Sequence, residues 1–185
     1  VYSFLVEDEQ AFLVLEFIDG ETLESRINRE GRIVAMEALP IFRKILGALG
    51  YAHSKGVIHR DIKPGNIAFT SEGNVKIMDF GIALNIEETG RLTQTGHVLG
   101  TPHYMAPEHF FQTPLTPQTD IFFLGTLFYE MIAGCPAFSG DDLSSLTYRI
   151  AHDSIDPPSH HNQSVNHAID QIIMQSLNKS HYSPK

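Results

Sequence analysis

Residues 59 to 66 read HRDIKPGN, and their types and spacing suit proton and phosphate chemistry. Asp61 follows Arg60 directly and stands two positions before Lys63, with Asn66 beyond a Pro64-Gly65 pair that bends the chain. A carboxylate among two permanent cations stays ionised at neutral pH when the groups meet in space, because the cations favour its charged form. A second carboxylate, Asp79, opens the triplet Asp79-Phe80-Gly81. Asn66 and Asp79 are hard oxygen donors of the kind that hold Mg²⁺ beside a substrate phosphate. That leaves Asp61 to receive a hydroxyl proton while Lys63 neutralises charge on a transferring phosphoryl group, so phosphoryl transfer is the chemistry these residues suit.

For these groups to converge, the chain between them must fold back. The segments NIAFT and NVKIMDF flank the turn-forming residues 71–74 (SEGN), which predicts an antiparallel hairpin over residues 66–80 that joins the two polar sites. Ahead of it, Ala35, Ala38, Leu39, Phe42, Ile45, Leu46, Leu49 and Ala52 recur at three- and four-residue steps. That period predicts one helix with a single apolar face, ending near Lys55-Gly56. Pro40 fits such a helix only near its first turn, where a missing N–H does least harm. The run AFLVLEF at 11–17, bounded by Asp19-Gly20, predicts a strand.

Later in the chain, helices are expected from Asp120 to Ala133 with Gly134 as the stop, from Asp141 to His152, and from Ala168 to Leu177. Residues 85–104 lack a period and are rich in Thr and Gly, so a long surface loop is expected. Glu21, Glu24 and Glu30 read as a solvated face. Tyr104, Met105 and the Phe-rich stretch 121–128 read as core. His160-His161 lacks companion ligands at metal spacing and reads as an exposed loop.

A chain of 185 residues with 42% hydrophobic content is long enough for one domain with a sizeable core. Its formal net charge of -9 argues against nucleic-acid binding, which calls for a basic patch. Cys135 is the only cysteine, so no intrachain disulfide forms, and the thiol reads as inert. The apolar stretch from Ile121 to Ala133 is shorter than the roughly 20 residues of a membrane span. Both termini look cut from something longer.

Taken in order, HRDIKPGN, DFG at 79–81, GTPHYMAPE at 100–108 and DIFFLG at 120–125 resemble the eukaryotic-type protein kinase family. Lys63 in the loop and Thr101 ahead of PHYMAPE resemble the Ser/Thr class, and YAHSKGVIHRDIKPGN with CPAFSGDD looks most like its bacterial branch. The resemblance implies an α+β protein kinase-like fold. Residues 1–15 would end the N-lobe sheet, 16–20 would form the hinge, and 21–185 would form a C-lobe cut short at its end. It also implies a cytoplasmic kinase domain that uses ATP with Mg²⁺, or Mn²⁺ in its place, and a protein substrate with a Ser or Thr acceptor. A membrane anchor elsewhere in a longer protein is left open.

Residue by residue, the resemblance makes Asp61 the acceptor-side carboxylate and Lys63 a contact to the γ-phosphate, with Thr101 bridging the two. Asn66 and Asp79 would hold the metal. Leu15 falls at the gatekeeper position, the backbone of Glu16 and Ile18 would bond adenine, and Ala68 would lie beneath the base. His59 and Phe80 would stack, and Asp120 would anchor the loop from the helix behind it. Thr93 and Thr95 lie where the family carries activating phosphates, with Arg60 as their partner and a kinase dimer as one route to autophosphorylation.

The sequence also departs from the family pattern. It contains no glycine-rich loop and no following strand lysine, so residues 1–185 alone are expected to be close to inactive. The arginine that pairs with the glutamate of APE falls near Pro184, so Glu108 is expected to lack that partner. Phe123 replaces the usual small polar residue of its motif. Two alternatives stand beside the kinase reading: a pseudokinase that binds without turnover, and a kinase-like enzyme acting on small molecules.

Overall fold

The structure, a computed structural model, describes residues 2–7, 10–80, 102–111 and 113–179. Among these residues it has two antiparallel hairpins and five α-helices. Strands β1 (Ser3–Glu7) and β2 (Gln10–Val14) pair with Ser3 opposite Val14 and Glu7 opposite Gln10. The expected strand at 11–17 thus begins one residue earlier and stops at Val14; residues 15–19 run on without regular pairing. Phe4, Val6, Phe12 and Leu15 on this hairpin and its exit are all exposed.

Helix α1 (Leu23–Glu30) was not expected from the sequence, although its signals are present. Thr22 caps it by accepting from the Ser25 N–H at 3.2 Å, and Gly31 ends it at φ +74 with its N–H on the Ile27 carbonyl. Leu23 and Ile27 point into the core. The acidic face stays at the surface, yet it is paired: Glu21 and Glu30 meet Arg29, and Glu30 and Glu37 meet Arg26.

Helix α2 (Ala35–Ser54) follows the expected period and buries Ala38, Ile41, Phe42, Ile45, Leu49 and Ala52. Pro40 does not sit in the first turn; it lies inside the helix, one turn further along, on an exposed face. The short 3₁₀ turn Pro64–Asn66 then leads into β3 (Ile67–Phe69), which pairs antiparallel with β4 (Val75–Ile77). This is the predicted hairpin, with Gly73 at φ +78 in its turn.

Helix α3 (Pro117–Ala133) is the centre of the fold. Pro117 occupies its first turn, where no N–H bond is lost, and Thr116 and Thr119 form a reciprocal cap. The helix therefore starts three residues before the expected Asp120, and it stops at the left-handed Gly134 as expected. Phe122, Leu124, Leu127, Phe128, Met131 and Ile132 are each at most 2% exposed, so the helix is packed almost all round. Phe42 of α2 stacks on Phe128 with ring centroids 4.2 Å apart. Helix α5 (His167–Ser176) packs on the other side, where a Cβ on Gly125 would come within 2.3 Å of Ser176 Oγ. Between them, α4 (Leu143–His152) starts at the Asp142 cap. Lys179 donates to the carbonyls of Arg149 and Asp153 at its end and lies over the Phe138 ring. His160 and His161 are exposed, at the end of a 3₁₀ turn, Pro158–His160.

Candidate active site

The loop between α2 and β3 carries the predicted residues, and Asp120 of α3 holds it from below. Asp120 is fully buried and accepts three hydrogen bonds. Its Oδ2 takes the His59 N–H at 2.8 Å and His53 Nε2 at 2.7 Å, and its Oδ1 takes the Arg60 N–H at 2.9 Å. His53, from the last turn of α2, had no expected role. Its contact spans 67 positions of sequence, and no local pattern announces such a pairing.

His59 turns this anchor into a link between the two polar sites. Its Nδ1 accepts the Asp61 N–H at 3.3 Å, so its other nitrogen carries the proton and Nε2 donates to the Met78 carbonyl at 2.8 Å. That arrangement needs a neutral ring, and burial holds the His59 pKa below its ordinary value against the nearby carboxylates Asp120, Asp61 and Asp79. The His59 and Phe80 rings lie 4.6 Å apart.

Three of the four expected polar groups meet directly. Lys63 Nζ lies 2.7 Å from Asp61 Oδ2, and Asn66 Nδ2 donates to the same oxygen at 2.9 Å and to the Asp61 carbonyl at 2.8 Å. The Asp61 side chain remains 39% exposed, which leaves it open to a reactant. Asp79 reaches the site through the hairpin: Met78 N–H donates to the Asn66 carbonyl at 2.8 Å, so Asp79 follows the residue bonded to Asn66. Its carboxylate is exposed and makes no hydrogen bond or ion pair to a described residue.

Of the two cations flanking Asp61 in sequence, one meets it in space. Among the described residues only Lys63 pairs with Asp61. Arg60 has φ +71, and its buried Nε has no hydrogen-bond partner among those residues. Arg60 and Asp79 are the two non-glycine residues with positive φ among those described, so backbone strain collects at this site.

The remaining expected residues lie as follows. Glu16 is exposed, Ile18 is half-buried, and Ala68 is 2% exposed in a β-bridge to Thr22. Thr93, Thr95, Thr101, Gly81 and Pro184 lie outside the described residues. Glu108 is 3% exposed and accepts from Thr119 Oγ1, so the helix cap supplies it with a partner that the sequence did not suggest. Phe123 has an identifiable place: its large ring packs on His109 at 5.1 Å. Tyr104 donates to Glu130, and burial raises both groups above their ordinary pKa values.

The donor set fits a hard divalent cation. The Asn66 amide nitrogen is committed to Asp61, which leaves its carbonyl oxygen, and the Asp79 carboxylate has no competing cation among the described residues. No cluster of three or more His, Cys, Asp or Glu side chains offers another metal site among those residues.

A helical lobe with a short hairpin, and a loop Asp–Lys–Asn cluster anchored from below, together define a protein kinase-type C-lobe. Comparison with known proteins agrees. The protein kinase domain family model matches residues 1–183. Serine/threonine-protein kinase PknB of Mycobacterium leprae is 34% identical over 169 residues, covering 91% of this chain and 27% of its own length. Probable serine/threonine-protein kinase PknB of Lactococcus lactis is 37% identical over 172 residues, covering 93% and 27%. Probable serine/threonine-protein kinase CPE1738 of Clostridium perfringens is 35% identical over 173 residues, covering 94% and 25%. The chain belongs to the protein kinase domain family, similar to bacterial Ser/Thr members, and spans about a quarter of the length of these relatives.

Proposed function

We propose that the protein containing this chain is a Ser/Thr protein kinase that transfers the γ-phosphoryl group of ATP to a protein hydroxyl. The observation that carries the reading is the Asp61 carboxylate, with one oxygen fixed by Lys63 and Asn66 within 3 Å and the group still open to a reactant. Those two donors hold Oδ2, which orients Oδ1 to receive the acceptor hydroxyl proton. Lys63 keeps positive charge beside the carboxylate and in reach of the transferring group. Asn66 and Asp79 would hold Mg²⁺, or Mn²⁺ in its place; bound there, the metal supplies charge neutralisation at the phosphates. Thr101 is assigned the bridge between Asp61 and Lys63, and the backbone at Glu16 and Ile18, above Ala68, the edge of the adenine.

In this reading residues 1–15 end the N-lobe sheet, 16–20 are the hinge and 21–185 belong to the C-lobe. No glycine-rich loop occurs in residues 1–185, so this segment alone is close to inactive. Arg60, with a buried Nε and no described partner, suits a phosphate on Thr93 or Thr95, placed there by a second kinase molecule. Among the described residues no helix is long and apolar enough to cross a membrane.

The test is incubation of the full-length protein with Mg²⁺, γ-labelled ATP and a protein substrate. Phosphoserine or phosphothreonine should appear in acid-hydrolysed protein. Nucleotide binding without transfer would replace this reading with a scaffold, and label found only in small molecules would replace it with a small-molecule phosphotransferase.

A further inference from the structure

Lys76 of β4 places Nζ 3.0 Å from Glu16 Oε1 and 3.1 Å from Oε2, across 60 positions of sequence. The surrounding backbone shows what this pair does. Residues 19–22 are fastened to the β3–β4 hairpin by two main-chain contacts and one through the Asp19 side chain. The Phe69 N–H donates to the Glu21 carbonyl at 2.9 Å, Thr22 bridges Ala68, and the Ser71 N–H donates to Asp19 Oδ1 at 3.1 Å. Gly20 lies so close to the hairpin that a Cβ there would fall 1.7 Å from the Phe69 carbonyl oxygen. The end of the hinge at Gly20 is therefore held by backbone pairing at Glu21 and Thr22 and by its close approach to Phe69, with Asp19 adding a side-chain contact. The other end, at Glu16, has only the ion pair with Lys76 to tie it to the hairpin among the described contacts.

Lys76 also pairs directly with Ala68 in the β3–β4 register, and opposite residues in an antiparallel pair project from the same face. The lysine stem thus runs beside the small residue assigned to the floor beneath the base, and its ammonium reaches up to the segment assigned to the base's edge. We infer that Lys76 and Glu16 are positioning residues for the nucleotide base, setting the height of the 16–18 backbone above the Ala68 floor. This inference rests on the kinase reading and gives the Glu16 side chain a task separate from its backbone.

The test uses the full-length protein and fluorescent ADP titration, with variants Lys76→Glu, Glu16→Lys and the double exchange. A half-exposed pair is worth at most about 1 kcal/mol, so each single reversal should raise the ADP Kd by about fivefold, and the double exchange should recover most of the loss. In turnover assays of Lys76→Glu, KM for ATP should rise by more than kcat falls. Unchanged Kd in both single variants, or a double variant that sums their losses, overturns the inference and leaves the kinase reading intact. A wild-type protein that binds no ADP overturns both.

Discussion

Asp120 gives the sharpest test of how the loop is held. Replacing it with Ala leaves the His59 and Arg60 N–H groups without their acceptor, along with the His53 ring. Each orphaned buried donor costs about 1–3 kcal/mol, and His53, being partly exposed, recovers some of this from water. The two backbone groups together set the loss at about 4 kcal/mol, a large part of a typical stability of about 5–15 kcal/mol. Asp120→Asn is gentler and more informative. Its single oxygen can keep the two donors at the Oδ2 position, but the amide nitrogen then faces the Arg60 N–H across 2.9 Å, donor against donor. That clash should cost about 2 kcal/mol. Hydrogen exchange of peptides covering residues 57–63 in the full-length protein reads the effect locally. Exchange should quicken by about 30-fold for Asn and by about 1,000-fold for Ala. Because Asp61 moves with the loop, a shift of about 1 Å should also lower kcat by roughly 100-fold in the Ala variant. Exchange in the Asn variant within about twofold of wild type would refute the reasoning, since a 2 kcal/mol clash cannot be that silent.

Further outcomes follow from the packing and the buried imidazoles. Gly125→Ala places a methyl group against Ser176 and Leu177 and should destabilise by about 1–3 kcal/mol, read as a lower thermal midpoint. Burial pushes the His109 pKa down to about 4 and lowers that of His59, against the opposing pull of Asp61 and Asp120, so the unfolded chain binds protons first. Their contribution is present above the ordinary value of 6.5 and is lost as pH falls towards 4; His109→Leu should flatten the fall of stability across that window in urea titrations at stepped pH. The full-length protein should carry phosphate on Thr93 or Thr95 by mass spectrometry, and the double Ala variant should lose activity while staying folded. Full activity in that variant would remove the role assigned to Arg60.

Local features were legible from period and turn chemistry, whereas the long-range contacts that were anticipated, Asp120 beneath the loop and His59 against Phe80, came only through the family resemblance. Helix α2, the β3–β4 hairpin and the Gly134 stop were readable because period, turn residues and a left-handed glycine act over a few positions. Helix α1 is not announced in the sequence by a long apolar run: Thr22 and Gly31 bracket it, but its amphipathic pattern rests on only two apolar positions, Leu23 and Ile27, among mostly charged and polar residues. Pro117 sets the start of α3, three residues ahead of Asp120. In the site, the cluster of Asp61, Lys63 and Asn66 lies within six positions and could be foreseen. The partners His53, Thr119 and Lys76 come from other elements, and their ordinary residue types give no signal. Whether Arg60 meets Asp61 is not set by adjacency in sequence, and among the described residues Lys63 alone pairs with that carboxylate.

The most direct measurement of the central claim is turnover and nucleotide affinity of Asp61→Asn beside Asp79→Asn in the full-length protein. With Asp61 as the acceptor-side carboxylate, Asp61→Asn should lose at least about 100-fold in phosphoryl transfer to a Ser or Thr substrate. Its Kd for Mg²⁺-ADP should stay within about twofold of wild type, because that side chain is assigned to the hydroxyl and not to the nucleotide. Asp79→Asn should lose metal-dependent nucleotide affinity together with turnover. Near-wild-type transfer by Asp61→Asn, or an equal loss of nucleotide binding in both variants, would contradict the division of labour assigned to this site.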